Sequence, residues 1–128
     1  MKYINRDIES VVLEVSQSYS AILITGPRQA GKTTMLRHLM DDNRNYVTLD
    51  DLEARKMAQN DPELFLSIYP PPVLIDEVQY APQLFSYVKI SVDKGAKPGA
   101  FWMTGSQAFR LMELAQESLA GRVAILHM

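Results

Sequence analysis

Apolar residues fall along this chain in two alternating patterns. Short continuous runs stand at "SAILIT" (20–25), "YVTLD" (46–50), "VLIDE" (73–77), "AFWMTGS" (100–106) and "VAILHM" (123–128). Each is brief, rich in β-branched or aromatic residues and bounded by a turn signal, which predicts five buried strands. Between them the apolar positions recur at helical spacing. "RDIESVVLEVSQSY" places Ile8, Val11, Val12 and Val15 on one side, with Asn5 as the cap residue. "KTTMLRHLM" does the same with Met35, Leu36, Leu39 and Met40. "DLEARKMAQNDPELFLSIY" predicts one helix, a break at Asp61–Pro62 and a second helix starting there, stopped by Pro70, Pro71 and Pro72. "PQLFSYVKISVDKG" reads as a helix opened by Pro82 and closed near Gly95, and "SQAFRLMELAQESLAG" as one ending at Gly121.

Strands alternating with helices predict an α/β fold: a parallel sheet with helices on both faces. Strands covered on both faces lose the inside–outside alternation and become continuously apolar, as these are. In such sheets ligands bind beyond the carboxyl ends of the strands. The polar endings "TG", "LDD", "IDE" and "TGS" all fall there.

One of those endings opens "GPRQAGKTT" (26–34), a G-x-x-x-x-G-K-T phosphate-loop pattern placed after a strand and before a helix. Gly26 and Gly31 permit a tight turn and close backbone approach to a ligand. Backbone amides from Arg28, Gln29, Ala30, Gly31, Lys32 and Thr33 can then form an anion nest, with Pro27 inside the same loop. The helix starting near Lys32 aims its positive end at that spot. Lys32 would serve the outer phosphates, Thr33 a magnesium ion, and Thr34 the inner phosphate. The plain alternative is a glycine turn carrying a surface lysine.

The strand "VLIDE" delivers Asp76 and Glu77 together. Asp76 would hold magnesium and Glu77 would polarise the attacking water as general base. Adjacent acids repel unless a cation or solvent relieves them, and the plain alternative is an acidic turn after a strand. In "FWMTGSQ", Thr104, Ser106 and Gln107 could hold the lytic water or sense the outer phosphate, with Thr104 the first choice; Ser106 could equally cap the following helix. Arg28 can face phosphate, a neighbour or water. Arg122, after "LAG", could act as an arginine finger or be a solvated helix-end cation. His38 and His127 are isolated and read as structural. Trp102 and the other aromatics read as core, with no stacking stripe for single-stranded nucleic acid.

Composition narrows the classes. The chain has 128 residues, 47% hydrophobic and 22% charged, which suits one folded domain over 1–128. A net charge of −2 announces no basic face for nucleic acid. There is no cysteine, so neither disulfides nor thiolate metal sites enter. No apolar run is long enough for a bilayer and no signal peptide is visible, so a cytoplasmic location without membrane contact is expected.

Taken together, "YINRDIE", "ILITGPRQAGKTT", "YVTLDD", "PPVLIDEVQYAPQLFSYVKISVD", "KPGAFWMTGSQ" and "SLAGRVAIL" resemble the ATP-binding domain of prokaryotic AAA-type ATPases, the kind usually followed by a C-terminal domain of unknown function. The resemblance covers nearly the whole chain. It implies a three-layer P-loop NTPase fold whose five-stranded parallel sheet has the order 5-1-4-3-2. It implies ATP and Mg2+ as cofactors, and it carries Lys32, Thr33, Asp76 and Glu77 as site residues, with Thr104 as sensor and Arg122 as a phosphate-facing or trans-acting arginine. Family members continue past "GRVAIL" into a helical lid and a C-terminal domain. The expectation is therefore a truncated form, with a missing C-terminal domain or an unknown protein as partner and self-association left open.

Two functions compete. One is Mg-dependent ATP hydrolysis; the other is a nucleotide-controlled binding module with little turnover. A small-molecule kinase would need an arginine-bearing lid, and a helicase a second motor core; neither is visible. The residues themselves do not choose between adenine and guanine, and Tyr3 to Arg6 are candidates for the base-facing segment.

Overall fold

The computed structural model describes residues 6–28, 31–106 and 108–128. The elements follow in the order α1 (Arg6–Ser16), β1 (Ala21–Thr25), α2 (Lys32–Leu39), β2 (Asn45–Thr48), α3 (Leu52–Asn60), α4 (Pro62–Ile68), β3 (Val73–Asp76), a 3-10 turn (Val78–Tyr80), α5 (Leu84–Asp93), β4 (Phe101–Gly105), α6 (Ala108–Leu119) and β5 (Val123–His127). The strands form one parallel sheet in the order β2-β3-β4-β1-β5, which is the 5-1-4-3-2 arrangement read from its other edge.

Strand geometry sorts the side chains. Successive residues point to opposite faces, so Ala21 and Leu23 of β1, Val73 and Ile75 of β3, and Phe101 and Met103 of β4 share one buried cluster. Ile22, Ile24, Leu74 and Trp102 enter the other. The first cluster is covered by Ala54 and Ala58 of α3, Phe65 of α4, Leu84, Phe85 and Val88 of α5, and Leu111, Ala115 and Leu119 of α6. The second is covered by Val12 of α1 and by Met35 and Leu36 of α2. Three layers result. Trp102 is core: its Nε1 donates to Ser16 Oγ at 3.0 Å, and the Arg44 guanidinium lies 3.8 Å from its ring centroid.

Local chemistry sets most of the ends. Asp51 caps α3 by accepting from the Ala54 amide at 2.9 Å, and Asp61 caps α4 by accepting from the Leu64 amide at 3.1 Å, with Pro62 in the first turn. Several boundaries differ from the sequence reading by a residue or more, among them the end of the strand read as "YVTLD", which stops at Thr48, and two have a clear local cause. The helix expected to open at Pro82 starts at Leu84, because the chain first makes the 3-10 turn. The strand read as "VLIDE" ends at Asp76, because Glu77 leaves the extended conformation at φ 59, ψ 49. The expected cap Asn5, the base-facing candidates Tyr3 to Asn5, and Gln29, Ala30 and Gln107 lie outside the described residues.

Candidate nucleotide site

Three neighbouring strands and the glycine loop meet at the carboxyl edge of the sheet. β1 hands over at Thr25 to Gly26, where a β-carbon would come 2.9 Å from the Met128 carbonyl oxygen, so only glycine suits this approach. Gly31 lies at φ 87 directly before α2 and starts that helix in the left-handed region. Lys32 is the first residue of α2 and is 4% exposed. Its ammonium donates to the carbonyls of Gly26 (2.9 Å) and Pro27 (2.8 Å), so the cation sits inside the loop's own curve. Burial lowers its pKa, while the charges of Glu77 and Asp76 work the other way.

Asp76 gathers hydroxyls from three elements. Thr33 Oγ1 of α2 donates to Asp76 Oδ1 at 2.5 Å and Thr104 Oγ1 of β4 to the same oxygen at 2.6 Å. Thr48 Oγ1 of β2 donates to Oδ2 at 3.0 Å, a contact fixed by its register opposite Asp76. The phosphate loop's threonine and the acid at the end of β3, 43 residues apart in sequence, are thus in direct contact.

Glu77 is the one described non-glycine residue at positive φ. Such a backbone is uncommon away from turns and functional sites. Its amide donates to Thr104 Oγ1 at 3.0 Å, so Thr104 joins both acids. Its carboxylate is 6% exposed as a residue and is held at Oε1 by Gln79 Nε2 (2.8 Å) and Ser106 Oγ (2.7 Å). Gln79 Oε1 in turn accepts from the Ser106 amide at 3.3 Å. Arg28 places Nη2 3.9 Å from the same Glu77 oxygen, and also donates to Asp50 Oδ1 (3.2 Å) and the Tyr80 hydroxyl (2.9 Å). Asp50, Asp76 and Glu77 each bring one oxygen within 4.8 Å of the others. Carboxylate and hydroxyl oxygens at this spacing are hard donors, which fits Mg2+ better than a soft metal.

Gly31, Lys32, Thr33, Thr34 and Glu77 line a cleft of about 120 Å3. A larger hollow of about 450 Å3 lies at the opposite pole, between Pro71, Pro72, Ser91, Lys94 and Lys97. Size does not decide here. The larger hollow is lined by no acid, whereas the smaller one holds the loop, the lysine and the acid together.

The sequence-predicted residues Gly26, Pro27, Arg28, Gly31, Lys32, Thr33, Thr34, Asp76, Glu77 and Thr104 come to this one edge. Arg122 does not. It precedes β5, at the sheet's other end, where its guanidinium meets Asp93 at 2.6 and 3.3 Å. His127 Nδ1 pairs with Thr25 Oγ1 at 2.8 Å, and His38 stands 3.9 Å from Glu9. Thr48, Asp50, Gln79 and Tyr80 belong to the site but were not singled out from sequence. Thr48 reads locally as a β-branched strand former, and only its register opposite Asp76 shows its second role.

A parallel sheet in this order, with a G-x-x-x-x-G-K-T loop joining β1 to α2 and an acid at the end of β3, defines a P-loop nucleotide-binding domain. The chain belongs to the AAA domain family, whose model matches residues 18–128. It is similar to an uncharacterised protein of Mycobacterium bovis and to one of Mycobacterium tuberculosis, each 41% identical over 110 residues, which is 84% of this chain and 24% of each relative. The chain therefore spans about a quarter of the length of the curated relatives it matches. No helix among the described residues is long and apolar enough to cross a membrane.

Proposed function

We propose that this domain binds ATP with Mg2+ and that, in the full-length protein, it hydrolyses ATP to ADP and phosphate. The observation that carries the reading is the hydrogen bond from Thr33 to Asp76, which joins the phosphate loop to the acid at the end of β3. Backbone amides of Arg28 to Thr33 would wrap the phosphates, and the Lys32 ammonium would exchange the carbonyls of Gly26 and Pro27 for phosphate oxygens. Thr33 and Asp76 would hold the magnesium ion, which when bound offsets phosphate charge. Glu77 would take the proton of the attacking water, its carboxylate oriented by Gln79 and Ser106. Thr104 would keep the two acids in register. Hydrolysis would drive a change in a C-terminal domain or another protein.

Thermal melting with ATP, ADP, GTP or buffer, with and without magnesium, tests the binding step. A ligand at a hundred times its dissociation constant adds about 2.7 kcal/mol. The expected result is a magnesium-dependent ATP shift in the wild type that Lys32→Met lacks. Steady-state phosphate release tests the chemistry. Glu77→Gln keeps a carbonyl oxygen for Gln79 and Ser106, so it preserves the local geometry while removing the base, and the rate should fall by roughly 100-fold or more. Equal rates would remove Glu77 from that role.

One observation favours a nucleotide-controlled binding module instead. Glu77 is engaged by two side chains and sits near the Arg28 cation, an arrangement that also suits a domain holding its triphosphate unhydrolysed. Tight, magnesium-dependent binding without phosphate release would select that reading.

A further inference from the structure

We propose that Arg28 is the residue by which this loop distinguishes a nucleoside triphosphate from a diphosphate, its guanidinium leaving Asp50 and Tyr80 to take the terminal phosphate. The inference rests on the nucleotide-binding reading above and deepens it. Arg28 lies inside the glycine loop, two positions after Gly26, and its Nη2 is 3.9 Å from Glu77 Oε1. Glu77 is the carboxylate assigned to the water that attacks the terminal phosphate. A cation beside it is therefore at the terminal-phosphate end of the loop.

The resting partners of Arg28 are ones a phosphate can replace. The Arg28 and Asp50 side chains are 51% and 46% exposed, and ion pairs so open to water are weak. Asp50, the Tyr80 hydroxyl and Glu77 are all met through the single nitrogen Nη2. A guanidinium is a planar fork of five donors, matched best by two oxygens of one oxyanion. Among the described residues its partners use one tine of that fork. A terminal phosphate offers more charge and a paired set of acceptors. Tyr80 is itself steadied for this exchange: the Arg55 guanidinium lies 3.6 Å from its ring centroid and donates to the Leu49 carbonyl at 2.8 Å, so the hydroxyl stays in place when Arg28 departs and receives it on return. A diphosphate, lacking the outer group, would leave Arg28 with Asp50 and Tyr80.

Calorimetric titration of the chain with a non-hydrolysable ATP analogue and with ADP, both with magnesium, tests this. Wild type, Arg28→Ala and Arg28→Lys are compared, with Arg28→Gln in place of the alanine variant should that one not fold. Arg28→Ala should weaken the triphosphate analogue about tenfold, equivalent to 1.4 kcal/mol, and ADP less than about twofold, since a charge-assisted bond to the outer group is what disappears. Arg28→Lys should recover part of the difference, because it restores the charge without the fork. Equal weakening of both ligands, or of neither, overturns the proposal. Failure of the wild type to bind either ligand, or undiminished binding by Lys32→Met, counts instead against the nucleotide-binding reading beneath it.

Discussion

Thr104 is fully buried and has one hydroxyl to serve two neighbours. It donates to Asp76 and accepts from the Glu77 amide. Replacing it by valine preserves shape and removes both bonds, leaving a buried amide and a carboxylate oxygen short of partners. Such losses cost about 1–3 kcal/mol, so Thr104→Val should unfold at lower urea by that amount, whether or not nucleotide is added. Lys32 works in the opposite sense. Burial holds its folded pKa below the ordinary lysine value of 10.5. The folded state therefore carries a cost for the charged form that is full below the folded pKa and is relieved as pH rises towards 10.5. In ligand-free melts the wild type should consequently gain stability relative to Lys32→Met as pH rises towards 10.5. The sequence singles out Lys32, Thr33, Asp76 and Glu77 as candidates because each pair stands in a local motif, and the structure brings the two motifs together. It hid Thr48 and Gln79, whose roles depend on a register and a turn that no short window contains. It also left Arg122 open between two roles, and within this chain the residue pairs with Asp93 away from the glycine loop.

At the scale of elements, β4 and α6 approach each other closely at Gly105. A β-carbon there would stand 1.9 Å from Leu111 Cδ2 and 3.3 Å from Gln79 Oε1. Leu111 is buried in the core and has little room to withdraw. Overpacking of this kind costs about 1–3 kcal/mol, and the displaced Gln79 is one of the two side chains holding Glu77. Gly105→Ala should thus lower both the melting temperature and any phosphate release, whereas a packing defect elsewhere in α6 should lower only the first. The strands themselves were plain from sequence: continuous apolar runs such as "AILIT" and "VLID" have few other uses in a chain without membrane-length segments. The break between α3 and α4 was equally plain, because Asp61 and Pro62 act within one turn. The 3-10 turn over Val78–Tyr80 was not, because Pro82 is an equally good helix opener and the left-handed backbone at Glu77 has no glycine or asparagine to announce it.

For the molecule as a whole, alternation of strand and helix dictated a parallel sheet, while the order of its strands came from likeness to a family rather than from any one residue. That order puts β1 at an interior position, between β4 and β5. Thr25, the last residue before the phosphate loop, is in contact with His127, 102 residues further along the chain. Pairings so remote in sequence form slowly, since loop closure precedes any reward from contact. On a ribosome, β1 has its full pair of neighbours only after both β4 and β5, far behind it in the chain, have left the exit tunnel. A nascent chain caught before β5 emerges holds every loop residue but lacks one of the two strands that flank β1. The frame around the glycine loop is thus closed only when the last strand of this sheet joins, although the loop itself lies between the first strand and the second helix.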